Sequence, residues 1–282
     1  MPIRSFLQTT LLGCIIAACP MLATPAVAQQ DADATRPSQE PLPSPREIID
    51  RFIAVTGGVD AYKKHKYRTS RGAFEMPAMG MRGEMMVKQS TPNMLLVTIS
   101  LPGIGEMKQG FNGDIGWSID PMSGPQIMAG KQLEQMKREA DFFNSVDILK
   151  NFKESKTVAR TKFNDEMCYQ IKLTGEDGVT NAYYSIESGL AKGSRTVAAT
   201  PQGEIPTTTT LLDYKDFGGV MVPTTTRMEM MGQQQLVVIE EITFDEIPAE
   251  EFVLPAAIKT LSEADAKKDD ETSDEGADKP GS

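Results

Sequence analysis

The sequence predicts a mainly β fold in which one strongly curved antiparallel sheet carries helices over one face. Most of the chain alternates apolar and polar residues with a period of two, which is typical of strands that bury one face. Helical spacing is confined to two segments. The roughly 215 residues from 44 to 258 contain no repeat and no internal linker, so they predict a single domain with one core.

The first helical segment begins with a capping box, Ser44-Pro45-Arg46-Glu47. Ser44 can accept a hydrogen bond from the amide of Glu47, whose side chain can reach back, and proline suits the first turn. Gly57-Gly58 is typical of the end of this helix, because glycine adopts the left-handed conformation without strain. The second helical segment is expected between residues 130 and 150.

The strands are predicted from alternation, with turn residues between them. Asn112-Gly113-Asp114 is typical of a hairpin turn, and Gly218-Gly219 leads into a strand that opens at Pro223. The clearest strands are expected at residues 81–88, 94–101, 115–119, 168–173, 181–187, 207–215, 223–231 and 235–244.

Residues 1–28 have the order of features that defines a signal peptide. Arg4 gives a charged start, residues 11–18 are apolar, and Ala26-Val27-Ala28 is a cleavage signature. The apolar stretch is shorter than the roughly 20 residues that span a bilayer, so no transmembrane span is predicted in the mature chain. Ile16-Ala17-Ala18-Cys19 also resembles a lipobox, which leaves open a membrane-anchored lipoprotein that carries its lipid on Cys19. Both alternatives predict export to the periplasm.

The two ends of the mature chain are expected to be disordered. Residues 29–43 are rich in Gln, Asp, Ser and Pro, which is typical of a linker. Residues 259–282 form an acidic tail, and the part from residue 262 onward holds eight acidic residues and three lysines. Because the whole chain has a net charge of −10, it repels phosphate backbones, and we expect no nucleic-acid partner.

The sequence shows no catalytic or metal-binding constellation. His65 is the sole histidine, lies among lysines at a predicted helix end, and is accompanied by no nucleophile elbow. One histidine and the one cysteine of the mature domain, Cys168, cannot form a His/Cys zinc site. Cys168 is expected to be either a packed core thiol or a reactive one. We therefore predict that the protein is not an enzyme and uses no cofactor.

Three segments in sequence order carry a family resemblance: Thr56-Gly57-Gly58, residues 109–117 and residues 213–223. With the signal sequence and the helical insert, they resemble periplasmic proteins of the outer-membrane lipoprotein-sorting type, called LolA-like. The match covers residues 44–258 by order of elements. Its most specific part is residues 213–223, which read Asp-Tyr-x-Asp, a glycine turn and a strand that opens at proline. The resemblance implies an incomplete antiparallel β-barrel closed by helices, with an apolar cavity that holds acyl chains or lipids.

If the strands curve around such a cavity, their apolar face lines it. The candidate lining residues are Met81, Met85, Leu95, Val97, Ile99, Trp117, Met228 and Met230. The chain has 17 methionines, several in tight groups. Three uses of them stay open: core filling, an adaptable cavity lining and a Cu(I) thioether site.

The leading hypothesis is a non-enzymatic periplasmic carrier or binding protein for a lipid, an acyl chain or a lipoprotein, with outer-membrane lipoprotein sorting as one such role. Two alternatives stay open. One is an envelope interaction module with a filled core and a protein partner. The other is a methionine-based copper-binding protein.

The two modes of export predict different masses for the mature protein. Cleavage after Ala28 gives a chain that begins at Gln29, whereas lipoprotein processing gives a chain that begins at an acylated Cys19. Intact-mass spectrometry of protein purified from the cell envelope distinguishes the two products. A cytoplasmic protein that retains Met1 would contradict both.

Overall fold

The computed structural model describes residues 40–200 and 203–264. These residues contain thirteen strands and five helices. The strands are β1 (Tyr67–Met76), β2 (Met81–Ser90), β3 (Met94–Leu101), β4 (Gly105–Asn112), β5 (Gly116–Asp120), β6 (Gly124–Ile127), β7 (Glu154–Phe163), β8 (Glu166–Thr174), β9 (Val179–Ser185), β10 (Ala191–Thr200), β11 (Gly203–Phe217), β12 (Val220–Met230) and β13 (Gln233–Thr243). The helices are α1 (Pro45–Val55), α2 (Gly58–Lys63), α3 (Gly130–Ala140), α4 (Asn144–Asp147) and α5 (residues 256–264).

The strands form one antiparallel sheet made of two meanders that meet at the pair β1–β13. From this pair the first meander runs outward to β6, and the second runs back through β12 to β7. The two outer strands, β6 and β7, do not pair with each other, so the sheet is open. The predicted mainly β fold with a single antiparallel sheet is therefore confirmed.

Helix α1 begins and packs as its sequence predicts. The hydroxyl of Ser44 accepts from the amide of Glu47 at 3.2 Å, and the Glu47 carboxylate accepts from the amide of Ser44 at 2.7 Å. The hydrogen bonds from Ser44 lower the pKa of Glu47, which keeps the cap ionised. The apolar stripe from Ile48 to Ile53 packs against β8 and β9, where Ile171 and Leu173 are fully buried.

Helix α3 covers the first meander on the same face of the sheet. Its residues Met136 and Ala140 pack with Leu95 of β3 and Phe111 of β4. The cross-strand pairs show that Leu95 of β3, under α3, and Ile171 of β8, under α1, lie on the same face of the sheet. We call it the helix-covered face and the other one the opposite face.

The C-terminal segment covers part of the opposite face. A 3₁₀ turn, Ala249–Phe252, lies against β3 and β4, and Glu251 pairs with Lys88 of β2 at 2.8 Å. Phe252 is buried in this segment. Because neighbouring residues of a strand point to opposite faces, Lys88 lies on the face away from Gln89 and the helices.

Helix α5 changes the predicted boundary of the acidic tail. The tail was expected to begin at residue 259, whereas the helix continues to residue 264. Its residue Ile258 is 0% exposed, so burial of this side chain holds the helix in place. The predicted signal peptide, Cys19, most of the predicted linker and the tail from residue 265 lie outside the described residues. Among the described helices, none is long and apolar enough to cross a membrane.

The buried side chain of Ile258 predicts that α5 contributes to stability. We expect Ile258→Ala to lower the free energy of unfolding by about 2–5 kcal/mol, because the change removes buried methyl groups and leaves a cavity. Chemical denaturation measures this loss. The exposed neighbour Lys259 provides the control, since Lys259→Ala should change stability by less than about 0.5 kcal/mol. Equal stability of the two variants would contradict a structural role for the helix.

Candidate functional site

A cavity of about 300 Å³ lies between the helices and the helix-covered face of strands β8 to β12. This volume is at the lower end of the roughly 300–1,000 Å³ typical of small-molecule sites. Phe52 of α1, together with Ile148 and Phe152 after α4, supplies the apolar side opposite the sheet. The sheet supplies both apolar and hydroxyl side chains: Leu173, Thr180, Ala182, Tyr184, Ser194, Thr209, Leu211, Tyr214 and Pro223.

Two segments that carried the family resemblance meet beside this cavity. A Cβ atom on Gly57 would collide with the carbonyl oxygen of Gly219, and the amide of Met221 donates to the carbonyl of Thr56 at 3.0 Å. Gly57 also has a φ of +124°, which glycine adopts without strain. The glycine pairs therefore let the end of α1 dock closely on the turn between β11 and β12.

The aromatic residues of the cavity are fixed by contacts with their neighbours. The ring of Phe52 packs edge-on against Tyr184, with the ring centroids 5.6 Å apart. The hydroxyl of Tyr214 donates to the carbonyl of Ala191 at 2.7 Å. Burial raises the pKa of both tyrosines, so both phenols stay neutral. Neutral, ordered aromatic groups of this kind suit an apolar ligand.

Arg138 of α3 is the one charged residue that lines the cavity among the residues described. Its Nη1 atom donates to Oδ1 of Asp177 at 2.9 Å, and its Nη2 atom donates to Oδ2. The side chains of Arg138 and Asp177 are 18% and 5% exposed. Burial alone would raise the pKa of Asp177, but the hydrogen bonds and positive charge of Arg138 outweigh it, and the pKa is lowered. The carboxylate is therefore ionised at neutral pH.

A second recess, of about 420 Å³, adjoins the cavity at Arg138 and Phe152. The guanidinium carbon of Arg138 lies 4.9 Å from the ring centroid of Phe152, which fixes the arginine between the two spaces. The recess is mainly polar, and its charged lining residues are Glu134, Lys137, Lys150, Lys153, Glu176 and Asp177, besides Arg138. The arrangement is an apolar chamber with a charged compartment beside it.

The structure brings seven of the eight predicted lining residues onto the helix-covered face, but none of them lines the cavity under α1 and α4. Five belong to the first meander and fill its core. Leu95 and Val97 pack with α3, and Met85 is buried with Met81 and Ile99 beside it. Met85 also borders a separate recess over β1 to β4. Met228 and Met230 are half-buried on β12, away from the chamber.

Trp117 lies on the opposite face of the sheet, which corrects its predicted placement. It pairs with Gly110 and is buried, and a Cβ atom on Gly110 would lie 2.8 Å from the indole ring. The residue that continues the helix-covered face on β5 is its neighbour Gly116, which pairs with Phe111. Sequence alternation identified the strand but assigned its two faces in reverse.

His65 and Cys168, the two other residues considered from the sequence, both pack against neighbouring residues. The ring of His65 stacks on Phe244 with the centroids 3.6 Å apart, and its Nε2 lies 3.1 Å from the carbonyl oxygen of Gly218. Burial, with the nearby charge of Glu166, raises the pKa of Cys168 to about 11, so this fully buried thiol stays protonated. Within residues 40–200 and 203–264, no group of three or more His, Cys, Asp or Glu side chains could hold a metal ion.

The ion pair at the cavity predicts a pH-dependent contribution to stability. Because the folded-state pKa of Asp177 is lowered, its carboxylate stabilises the fold above its ordinary pKa of about 4, and this contribution is lost as the pH falls through the lowered value. We expect Asp177→Asn to cost about 1.5–3 kcal/mol at pH 7 and progressively less toward pH 2. Chemical denaturation of the wild type and of Asp177→Asn across this pH range measures the loss of stability. Glu176→Gln, which removes an exposed partner of Lys153, should change little at any pH. A loss of stability in Asp177→Asn that does not depend on pH would contradict the role of the Asp177 charge.

Comparison with known proteins identifies the fold. No protein-family model and no curated protein matches the chain. Among solved structures, a LolA superfamily protein from Nitrosomonas europaea is similar, with a TM-score of 0.51 and 14% identity over 76% of this chain and 99% of that one. A DUF1329 family protein from Desulfovibrio piger has a TM-score of 0.51 and 10% identity over 76% of this chain and 98% of its own. The chain therefore has a LolA-like fold, as the sequence resemblance predicted.

Proposed function

We propose that the chain is a periplasmic, non-enzymatic binding protein that holds a lipid or acyl chain in the chamber between α1, α4 and strands β8 to β12. The observation that supports this proposal is the chamber itself. On its helix side Phe52, Ile148 and Phe152 give an apolar surface beside the polar Asn144, Ser145 and Arg138, and the space between this side and the sheet is about 300 Å³.

The chamber can take up an apolar ligand because part of its wall is apolar surface. An apolar ligand removes this surface from water, which is favourable in proportion to the apolar area buried. A ligand that binds the folded protein alone also stabilises it in proportion to its occupancy. Lipid binding should therefore raise the melting temperature as well as fill the space.

The LolA-like fold supports the same proposal, because the resemblance found in the sequence implies a periplasmic carrier of acyl chains. Lipoprotein sorting is the most specific role within this proposal. The features that fit export are the signal sequence at residues 1–28 and the alternative lipid attachment site at Cys19.

One observation favours the alternative of an interaction module. The first meander is filled by Leu95, Phe111 and Met136, so this half of the helix-covered face has no room for a ligand. A protein whose chamber also stays empty of lipid would act through its surface. A variant that fills the chamber separates the two functions.

Filling the chamber tests the proposal. Thr209 of β11 lines it, whereas the neighbouring Thr208 points to the opposite face beside Arg195. We expect Thr209→Phe to weaken binding of the neutral fluorescent probe N-phenyl-1-naphthylamine by at least about tenfold, because the new ring occupies the ligand space.

The matched variant Thr208→Phe carries the same ring on the same strand and should bind the probe within about twofold of the wild type. Circular dichroism confirms that both variants fold. Native mass spectrometry of protein from its own envelope adds a direct readout, since co-purified lipid should be present in the wild type and lost in Thr209→Phe. A wild type that binds neither the probe nor lipid would favour the interaction module.

A further inference from the structure

The chamber contains one feature that an acyl chain alone does not need. Arg138 is the sole charged residue in its lining within the described chain, and its partner Asp177 lines the outer recess but not the chamber. A ligand inside the chamber therefore meets a cation whose counter-ion lies on the far side. A few placed polar groups in an apolar pocket commonly fix the orientation of the ligand.

The guanidinium of Arg138 keeps donors available for a ligand. It has five N–H groups, and the hydrogen bonds to Asp177 use one on Nη1 and one on Nη2. The other three have no acceptor among the described residues. Planar N–H donors of this kind match a carboxylate or a phosphate, with which they form charge-assisted hydrogen bonds.

Hydroxyl groups extend this polar character onto the sheet next to α3. Helix α3 lies against β10, where Ser194 faces the chamber opposite Thr209 of β11. Neither hydroxyl has a hydrogen-bond partner among the described residues. A ligand with oxygen atoms at one end would satisfy these groups, whereas a pure hydrocarbon would not.

The recess beyond Arg138 is built of ion pairs that can adjust to a charged group. Lys137 pairs with Glu134 and Lys153 with Glu176, each at 2.9 Å, and the four side chains are 38–67% exposed. Exposed pairs of this kind contribute little to stability, so a bound head group can replace them at low cost. The chamber and the recess together present an apolar end and a polar end that meet at Arg138.

We propose that the ligand is a single-chain amphiphile with an anionic head, a carboxylate or a phosphate, that binds Arg138 while its chain occupies the chamber. The inference rests on the proposed function, which it makes specific. The volume of about 300 Å³ limits the ligand to one chain, because it is at the lower end for small-molecule sites. Arg138 orients the ligand, with the head toward the recess.

Ligands with one chain length and different heads test the proposal. Displacement of N-phenyl-1-naphthylamine is measured at pH 7.5 with hexadecyl phosphate, palmitate and 1-hexadecanol, all below their aggregation limits. We expect at least one of the two anions to bind tenfold or more tightly than the alcohol. The ratio between the anions then identifies the head as carboxylate or phosphate. A diacyl phosphatidate should bind more weakly than the favoured single-chain anion.

Two variants assign the preference to Arg138. The double variant Arg138→Gln/Asp177→Asn leaves no unpaired charge at the site, and it should bind 1-hexadecanol as the wild type does but lose the preference for anions. Asp177→Asn alone removes the competing carboxylate, so it should strengthen anion binding severalfold without affecting the alcohol. Lys259→Gln, at an exposed position of α5 that lines neither the chamber nor the recess, is the control and should change the anion-to-alcohol ratio by less than about twofold.

Each result supports or overturns the proposal. Equal binding of anions and alcohol by the wild type overturns the anionic head and leaves the proposed function intact. A preference that persists in the double variant overturns the role of Arg138. If the double variant does not fold, Asp177→Asn decides the question, because unchanged anion binding there also contradicts the role of Arg138. A diacyl phosphatidate that binds as tightly as the favoured single-chain anion overturns the proposal of a single-chain ligand. Failure of all ligands, including the neutral probe, overturns the proposed function instead.

Discussion

The pairing of β1 with β13 is the constraint on which the rest of the structure depends. It joins two meanders that would otherwise be separate sheets, and it does so between strands far apart in sequence, with Thr69 opposite Thr243. The pairing bulges at Gly72, where a Cβ atom would collide with the carbonyl oxygen of Val238. Once the meanders are joined, α1 packs on β8 and β9, and α3 reaches from the first meander to β10. The cavity therefore lies between strands of the second meander and helices that pack on both meanders.

The helix-covered face is closely packed under α3 and leaves a cavity within its second half, because its side chains differ in size. Under α3 the strands carry Leu95 and Phe111, which reach the helix and pack with Met136. On β9 to β11 the cavity is lined by the short side chains of Ala182, Ser194 and Thr209. Close packing in one half and short side chains in the other leave a chamber without any break in the sheet.

The buried ion pair gives this chamber its polarity and connects α3 to the turn between β8 and β9. Taking Arg138 and Asp177 out of water costs free energy, which their two charge-assisted hydrogen bonds offset. Phe152 holds the guanidinium in place by contact with its ring. The same three residues therefore fix the end of a helix and set the boundary between an apolar and a charged compartment.

The sequence by itself determined the local structure of this protein. Alternation and capping residues predicted α1, most of the strands and the shared face of seven apolar residues, because these depend on neighbours along the chain. Alternation does not predict strands such as β7 and β10, because polar residues occur on both of their faces and leave no clear period of two. Only the tertiary structure decided the site. Phe52, Thr209 and Arg138 belong to different elements, and their common chamber depends on long-range pairing and on where short side chains lie beneath a helix, which no local pattern records.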